Sequence, residues 1–185
     1  MRASLGCLVL LLVLMPAPAA AQSLPAGVRQ AVAALGDVIP VTAADVDQRA
    51  CKGKPRMQLV AVSGDFDGDG RPDWALYVRS AGPVGRLVDR TPPRDVYDVQ
   101  FVFAMARAAG RYELVTARQG RETLPLASYL VLQPRGPIRE VPFEDHPTPI
   151  VLRNPGVMEL YCGQASSTYF WDPEQKAFRY IVTGD

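Results

Sequence analysis

The residues best suited to do chemistry are carboxylates concentrated in the segment 64–74. Three of its four aspartates, Asp65, Asp67 and Asp69, occupy alternate positions, and Asp73 follows four residues after the third. Carboxylates so close together repel one another unless a cation lies between them. Calcium suits them, because it takes about six to eight oxygen ligands at roughly 2.3–2.6 Å. The spacing therefore predicts a metal site, with calcium favoured over magnesium, which demands a stricter octahedron and keeps more of its waters.

Two glycines in the same segment suit a chain that wraps tightly round an ion. Gly68 and Gly70 can reach positive φ without a Cβ clash. The composition is also typical of a metal-free turn, because Asp and Gly form hairpin connections on their own. Repulsion in an empty cage favours the metal-bound alternative. An ion held in this way most simply ties two strands together, so we expect a structural role rather than a catalytic one.

The order of the aspartates indicates which kind of calcium loop this is. Counted from Asp65, they fall at the first, third, fifth and ninth places, and the carbonyl of Arg71 falls at the seventh. A helical calcium loop also needs a bidentate glutamate at the twelfth place, where this chain has Leu76. The segments on both sides are rich in β-branched and aromatic residues. These features predict a β-hairpin loop that Asp73 closes.

The run Asp-Phe-Asp-Gly-Asp-Gly-Arg-Pro-Asp-Trp-Ala at 65–75 resembles the calcium loop of FG-GAP (integrin-α-type) and VCBS repeats. In that family the loop joins two strands of a propeller blade. The resemblance implies four side-chain ligands and one carbonyl ligand: Asp65, Asp67, Asp69 and Asp73, with the carbonyl from Arg71. One such loop and 185 residues are too little for a closed propeller of about four or more four-stranded blades. The layout is similar to that of small exported bacterial proteins of unassigned role.

Residues for catalysis are few. His146 is the single histidine, so a serine–histidine–aspartate mechanism would need it, and no Gly-x-Ser-x-Gly elbow is present. Glu140, Glu144 and Asp145 could form an acid pair for glycoside cleavage, but carboxylates in such a proline-rich segment are usually solvated. We therefore expect a non-enzymatic binding or structural module. A secreted hydrolase with unidentified catalytic residues is the alternative.

The composition is typical of a globular protein, and its positive and negative charges nearly balance. Hydrophobic residues make up 48%, charged residues 21%, and the formal net charge is +1. Such a balance points to no nucleic-acid partner. Two proline-rich segments, 81–96 and 134–148, are predicted loops that could recognise an envelope protein or a glycan, and solvated loops are the alternative.

The N-terminal residues predict export. Arg2 precedes an apolar run at 8–14, and small residues at 19–21 provide a cleavage site. We expect a signal peptide at 1–21, no membrane span once it is removed, and a periplasmic or secreted single domain at 22–185. Cys51 and Cys162 then remain and predict a disulfide, with two buried thiols or half of a metal site as alternatives.

The pattern of apolar residues predicts a mainly β fold with a short N-terminal helix. A helix is expected at 24–35, with Ser23 as its cap and Gly36 at its end, and a brief turn at 42–48. The remaining elements are predicted strands: 57–62, 74–79, 97–106, 111–117, 129–133, 149–152, 157–162, 168–171 and 178–183. Short connections favour antiparallel sheets, either partly propeller-like or a sandwich. The aromatic residues at 169–180 fit either core packing or stacking on a sugar or peptide.

Overall fold

The computed structural model describes residues 24–47, 60–138, 150–162 and 165–184. Strands make up 57% of this part of the chain, and every pairing between them is antiparallel. The predicted fold class, mainly β with one short helix, is therefore confirmed.

The helix, α1, is Ala26–Ala33, and 3-10 turns cover Ala43–Asp45 and Ala108–Gly110. The strands in chain order are β1 (Val38–Pro40), β2 (Ala61–Gly64), β3 (Asp73–Ser80), β4 (Gly85–Leu87), β5 (Arg94–Ala106), β6 (Tyr112–Thr123), β7 (Ser128–Gln133), β8 (Gly136–Ile138), β9 (Ile150–Leu152), β10 (Gly156–Tyr161), β11 (Ser166–Asp172) and β12 (Ala177–Gly184).

The N-terminal helix is shorter than predicted but lies in the predicted place. Val28 and Val32 are one turn apart and both are buried, so they form the face that packs on the sheet. Pro25 occupies the N-cap position, and Gly36 follows the helix with a φ of +94°. The expected cap, Ser23, lies outside the described residues.

The predicted turn after the helix is a 3-10 turn that a capping box holds. The backbone amide and the hydroxyl of Thr42 both lie 2.8 Å from Oδ2 of Asp45 and donate to it. Asp45 also forms a 3.2 Å ion pair with Arg79 of β3. The ion pair thereby connects the turn to β3.

Among the residues that the structure describes, the strands form two sheets and a separate strand pair. In the first sheet β3 and β5 are central neighbours; β1 and β2 pair with β3, and β4 and β6 pair with β5. The second sheet has the order β12-β11-β10-β7, and β8 pairs with β9.

Alternating side chains of β3 show how the layers stack. Ala75 and Tyr77 belong to the large core cluster that also contains Leu130, Val157 and other residues of the second sheet. Leu76 and Val78 belong to the cluster beneath the helix. Because successive side chains of a strand point to opposite faces, the first sheet is covered by the second sheet on one face and by α1 on the other.

The structure differs from the sequence prediction where short strands occur in segments expected to be loops. The predicted loop 81–96 contains β4, since Gly85–Leu87 pairs with the start of β5. The predicted strand 111–117 continues to Thr123, because β6 follows β5 through a register shift. β8 lies in the other predicted loop.

Within the part of the chain described by the structure, no helix combines the length and the apolar character needed to cross a bilayer. The predicted signal segment 1–21 lies outside that part.

Candidate metal centre

The acidic loop joins β2 to β3, two antiparallel neighbours. The register places Gly64 opposite Asp73, so the chain leaves one strand and re-enters the next at the same level. Gly68 and Gly70 have φ values of +80° and +83°, a conformation that suits glycine. The predicted β-hairpin loop is therefore present between strands, with glycines where the backbone turns.

The loop brings three of the predicted ligands together. One carboxylate oxygen from each of Asp65, Asp67 and Asp73 lies within 4.8 Å of the other two. Two oxygens that share an ion at roughly 2.3–2.6 Å can be no further apart than about twice that length. The spacing of the three aspartates is therefore compatible with one shared metal ion.

Asp73 is the deepest member of this group and is fully buried. Its Oδ2 accepts a 2.9 Å hydrogen bond from the amide of Phe66, and its Oδ1 accepts a 2.7 Å bond from the amide of Ala106. Burial raises the pKa of Asp73 to about 6; the two amide donors oppose this rise, and the charges of Asp67 and Asp69 add to it. A nearby cation would favour the ionised form.

Asp65 and Asp67 are held by the loop itself. Asp65 accepts hydrogen bonds from the amides of Gly68 at 2.9 Å and Gly70 at 3.0 Å, one on each oxygen. Asp67 accepts a 3.2 Å bond from the amide of Asp69. A carboxylate oxygen has two lone pairs, so these bonds leave acceptor capacity for an ion.

Arg107 supplies positive charge beside the group. Its Nη1 lies 3.6 Å from Asp67, and its Nε donates a 2.9 Å hydrogen bond to Glu113. The guanidinium is therefore shared between the acidic loop and β6.

The other two predicted ligands are arranged differently. Asp69 is not in the group of three; its Oδ2 lies 3.8 Å from Nη1 of Arg71, and its Oδ1 accepts a 2.9 Å bond from the Arg71 amide. The ligand roles of Asp69 and of the Arg71 carbonyl stay predictions.

Phe66 anchors the acidic loop to the hydrophobic core. It lies between two of the aspartates in sequence, yet its side chain is fully buried in the core between the sheets. Its ring meets that of Phe103 edge to face, with centroids 5.4 Å apart. An aromatic residue flanked by two acidic residues is the sequence signal for such an anchor.

A second polar cluster, centred on Glu159, was missed by the sequence analysis. Glu159 is fully buried and accepts hydrogen bonds from Tyr77 at 2.9 Å, Tyr169 at 3.1 Å and Arg118 at 2.8 Å. Burial, followed by the charge of Glu159, raises the pKa of both tyrosines. The sequence signal is its position two residues after Val157 in an apolar strand, which puts a carboxylate on the core face.

Several predicted residues lie outside the described part of the chain. His146 and the acidic residues considered for catalysis, Glu140, Glu144 and Asp145, are among them. Cys51 is too, so its pairing with Cys162 stays a prediction.

Comparison of the chain with protein-family models, with curated proteins and with solved structures gives no significant match. The resemblance of the acidic loop to FG-GAP and VCBS repeats therefore stays a prediction.

Proposed function

We propose that this chain is an exported, calcium-binding β domain that serves as a non-enzymatic binding or structural module of the cell envelope. The observation that carries the proposal is the convergence of Asp65, Asp67 and Asp73, whose oxygens lie within 4.8 Å of one another at the junction of β2 and β3. Bound calcium would supply positive charge and oxygen coordination there.

The chain's own contacts favour a structural role for the ion. Every carboxylate of the group accepts at least one backbone hydrogen bond, and those of Asp73 connect the loop to the end of β5. Phe66 anchors the same loop in the core between the sheets. Drawing the three carboxylates together would therefore hold the loop, β3 and β5 in one arrangement.

Calcium binding is tested by thermal unfolding of the protein purified from the periplasm of an expressing host, with calcium or with a chelator. At about 100 times the dissociation constant, a ligand specific for the native state adds about 2.7 kcal/mol. For a domain of this size that is a rise in Tm of about 5–10 °C, at about 2–4 °C per kcal/mol.

Two variants make the test specific. Asp67→Asn should abolish most of the rise, because it removes a charge from the group of three. The control, Asp89→Asn, replaces an exposed aspartate outside the acidic loop and should keep the full rise. Equal melting temperatures with calcium and chelator in the unmodified protein would refute the proposal.

Export and the disulfide belong to the same proposal. The predicted signal segment 1–21 would deliver Cys51 and Cys162 to an oxidising compartment, where thiols pair. Mass spectrometry of the unreduced periplasmic protein should give the mass of a chain beginning at Gln22, less two hydrogens. Free thiols at both cysteines, or an uncleaved N-terminus, would contradict this part.

A further inference from the structure

A groove lies beside the acidic loop, between it and the turn that joins β11 to β12. Its volume is about 430 Å³, within the range of about 300–1,000 Å³ of small-ligand sites. Asp67 and Gly68 form one wall, and the rest comes from the end of β9 and the residues after it, the end of β11, the turn that follows, and Arg179 of β12. Asp67 therefore borders both the metal centre and the groove.

We propose that this groove binds the sugar rings of a glycan, an inference that deepens the proposed binding role and rests on it. Its walls combine aromatic rings with planar polar groups. Sugars present apolar C–H faces that pack on aromatic rings, and hydroxyls that both donate and accept hydrogen bonds.

The aromatic part is rigid and partly exposed. Trp171 and Phe170 both line the groove and are neither fully buried nor fully exposed. The ring of Trp171 meets Phe178 edge to face at 5.2 Å, and Phe178 stacks on Phe103 at 3.6 Å. Because the core supports these rings, they lose little conformational freedom when a ligand packs on them.

The polar part has unused hydrogen-bonding capacity. The side-chain amide of Asn154 lines the groove and makes no hydrogen bond to the rest of the described residues. Arg153, also in the lining, is exposed and forms no ion pair within the same part of the chain. An amide and a guanidinium can each contact neighbouring hydroxyls.

Asp172 is a fixed acceptor on the opposite wall. Its Oδ1 accepts hydrogen bonds from the amides of Glu174 at 2.9 Å and Gln175 at 3.1 Å, and its Oδ2 pairs with Arg179 at 3.3 Å. These contacts hold the carboxylate and the guanidinium in place before a ligand arrives.

The charges of the lining favour a polyhydroxyl ligand over a polyanion. The lining carries both signs of charge, and its charged residues are Asp67, Asp172, Glu174, Arg153 and Arg179. A site for a phosphate or sulfate polymer needs an excess of positive charge. Mixed charges match hydroxyl groups, which serve as donors and acceptors.

The binding test uses the periplasmic protein in calcium, with soluble trisaccharides of glucose, N-acetylglucosamine, galactose and mannose as probes. A Trp74→Phe variant makes Trp171 the only tryptophan, so its fluorescence reports the groove. At least one trisaccharide should shift the emission saturably at millimolar concentration. Asn154→Ala should weaken that binding about tenfold, and the exposed control Gln119→Ala should not change it.

The outcomes separate the two proposals. Calcium binding without a response to any trisaccharide, or binding that Asn154→Ala leaves unchanged, overturns the groove assignment and leaves the metal centre standing. Saturable sugar binding that the Asn154 variant loses, in protein that binds no calcium, supports the groove and refutes the proposed metal. A response to short peptides in place of sugars also overturns the assignment.

Discussion

The hydroxyl of Tyr77 donates a 2.9 Å hydrogen bond to the carboxylate of Glu159 and joins the two sheets through their shared core. Tyr77 lies on β3 of the first sheet and Glu159 on β10 of the second. Arg118 of β6 reaches the same carboxylate at 2.8 Å. A buried charge is stable only when such partners satisfy it.

Replacing Glu159 by glutamine should therefore destabilise the fold strongly. Glu159→Gln removes the charge that Arg118 faces, and breaking a buried ion pair costs about 3 kcal/mol or more. Urea denaturation measures the change. The matched control is Glu122→Gln, because Glu122 also pairs with Arg118 at 3.3 Å but its side chain is 39% exposed. The control should cost less than about 1 kcal/mol; equal effects of both variants would contradict the assignment.

The same cluster predicts how stability depends on alkaline pH. Burial and the Glu159 charge raise the pKa of Tyr77, Tyr161 and Tyr169 in the folded chain. The unfolded chain therefore loses these protons first, and stability should fall as the pH rises above about 10. Absorbance at 295 nm, followed with circular dichroism, should show part of the tyrosine signal appearing only on unfolding. Titration of all seven tyrosines in one step, with the fold intact, would exclude the effect.

Asp73 should matter for folding even without calcium. Its two oxygens accept the amides of Phe66 and Ala106, whereas an asparagine side chain at this position would offer only one acceptor oxygen. Asp73→Asn should cost about 1–3 kcal/mol in chelator, the penalty of an unpaired buried donor. Asp69→Asn, on the exposed side of the loop, should cost much less. A metal-free Asp73 variant as stable as the unmodified chain would show that these bonds contribute nothing.

The two loop glycines should respond differently to alanine. Both have positive φ, so each substitution costs about 1–2 kcal/mol for the left-handed conformation. A Cβ at Gly68 would also lie 2.8 Å from the Asn154 amide, whereas nothing lies within 4 Å at Gly70. Gly68→Ala should therefore displace Asn154 and destabilise slightly more, because the amide is the free end of a side chain and can move. Denaturation curves for the pair provide the comparison, and identical curves would argue against the contact.

The fold class could be predicted because most strands contain β-branched and aromatic residues between turn-forming residues. A strand was predicted at 97–106, and its alternate residues Val99, Phe101, Phe103 and Met105 all belong to the core between the sheets. The opposite face, with Val102 and Ala104, is also buried because α1 covers it. β1, β4 and β8 were not predicted, since the pairing of strands of three residues depends on their partners more than on their own side chains.

The acidic loop was predictable as a unit but not in its details. Aspartate spacing indicated a cluster, and three of the four predicted carboxylates do converge. The aspartate outside the group is Asp69, whose side chain pairs with Arg71. The spacing in the sequence does not indicate the direction of a side chain, so it could not predict this. Glu159 was missed because two of its three partners, Tyr77 of β3 and Arg118 of β6, are distant from it in sequence.

The hydrogen bond from the Ala106 amide to Asp73 offers a reporter at single-residue resolution. That amide is shielded for as long as the aspartate stays seated beneath the loop. Its rate of exchange with deuterated solvent would therefore follow opening of the hairpin end directly. A ligand or substitution at the surface of the loop could then be detected through the exchange rate of the Ala106 amide, which the ligand itself does not contact.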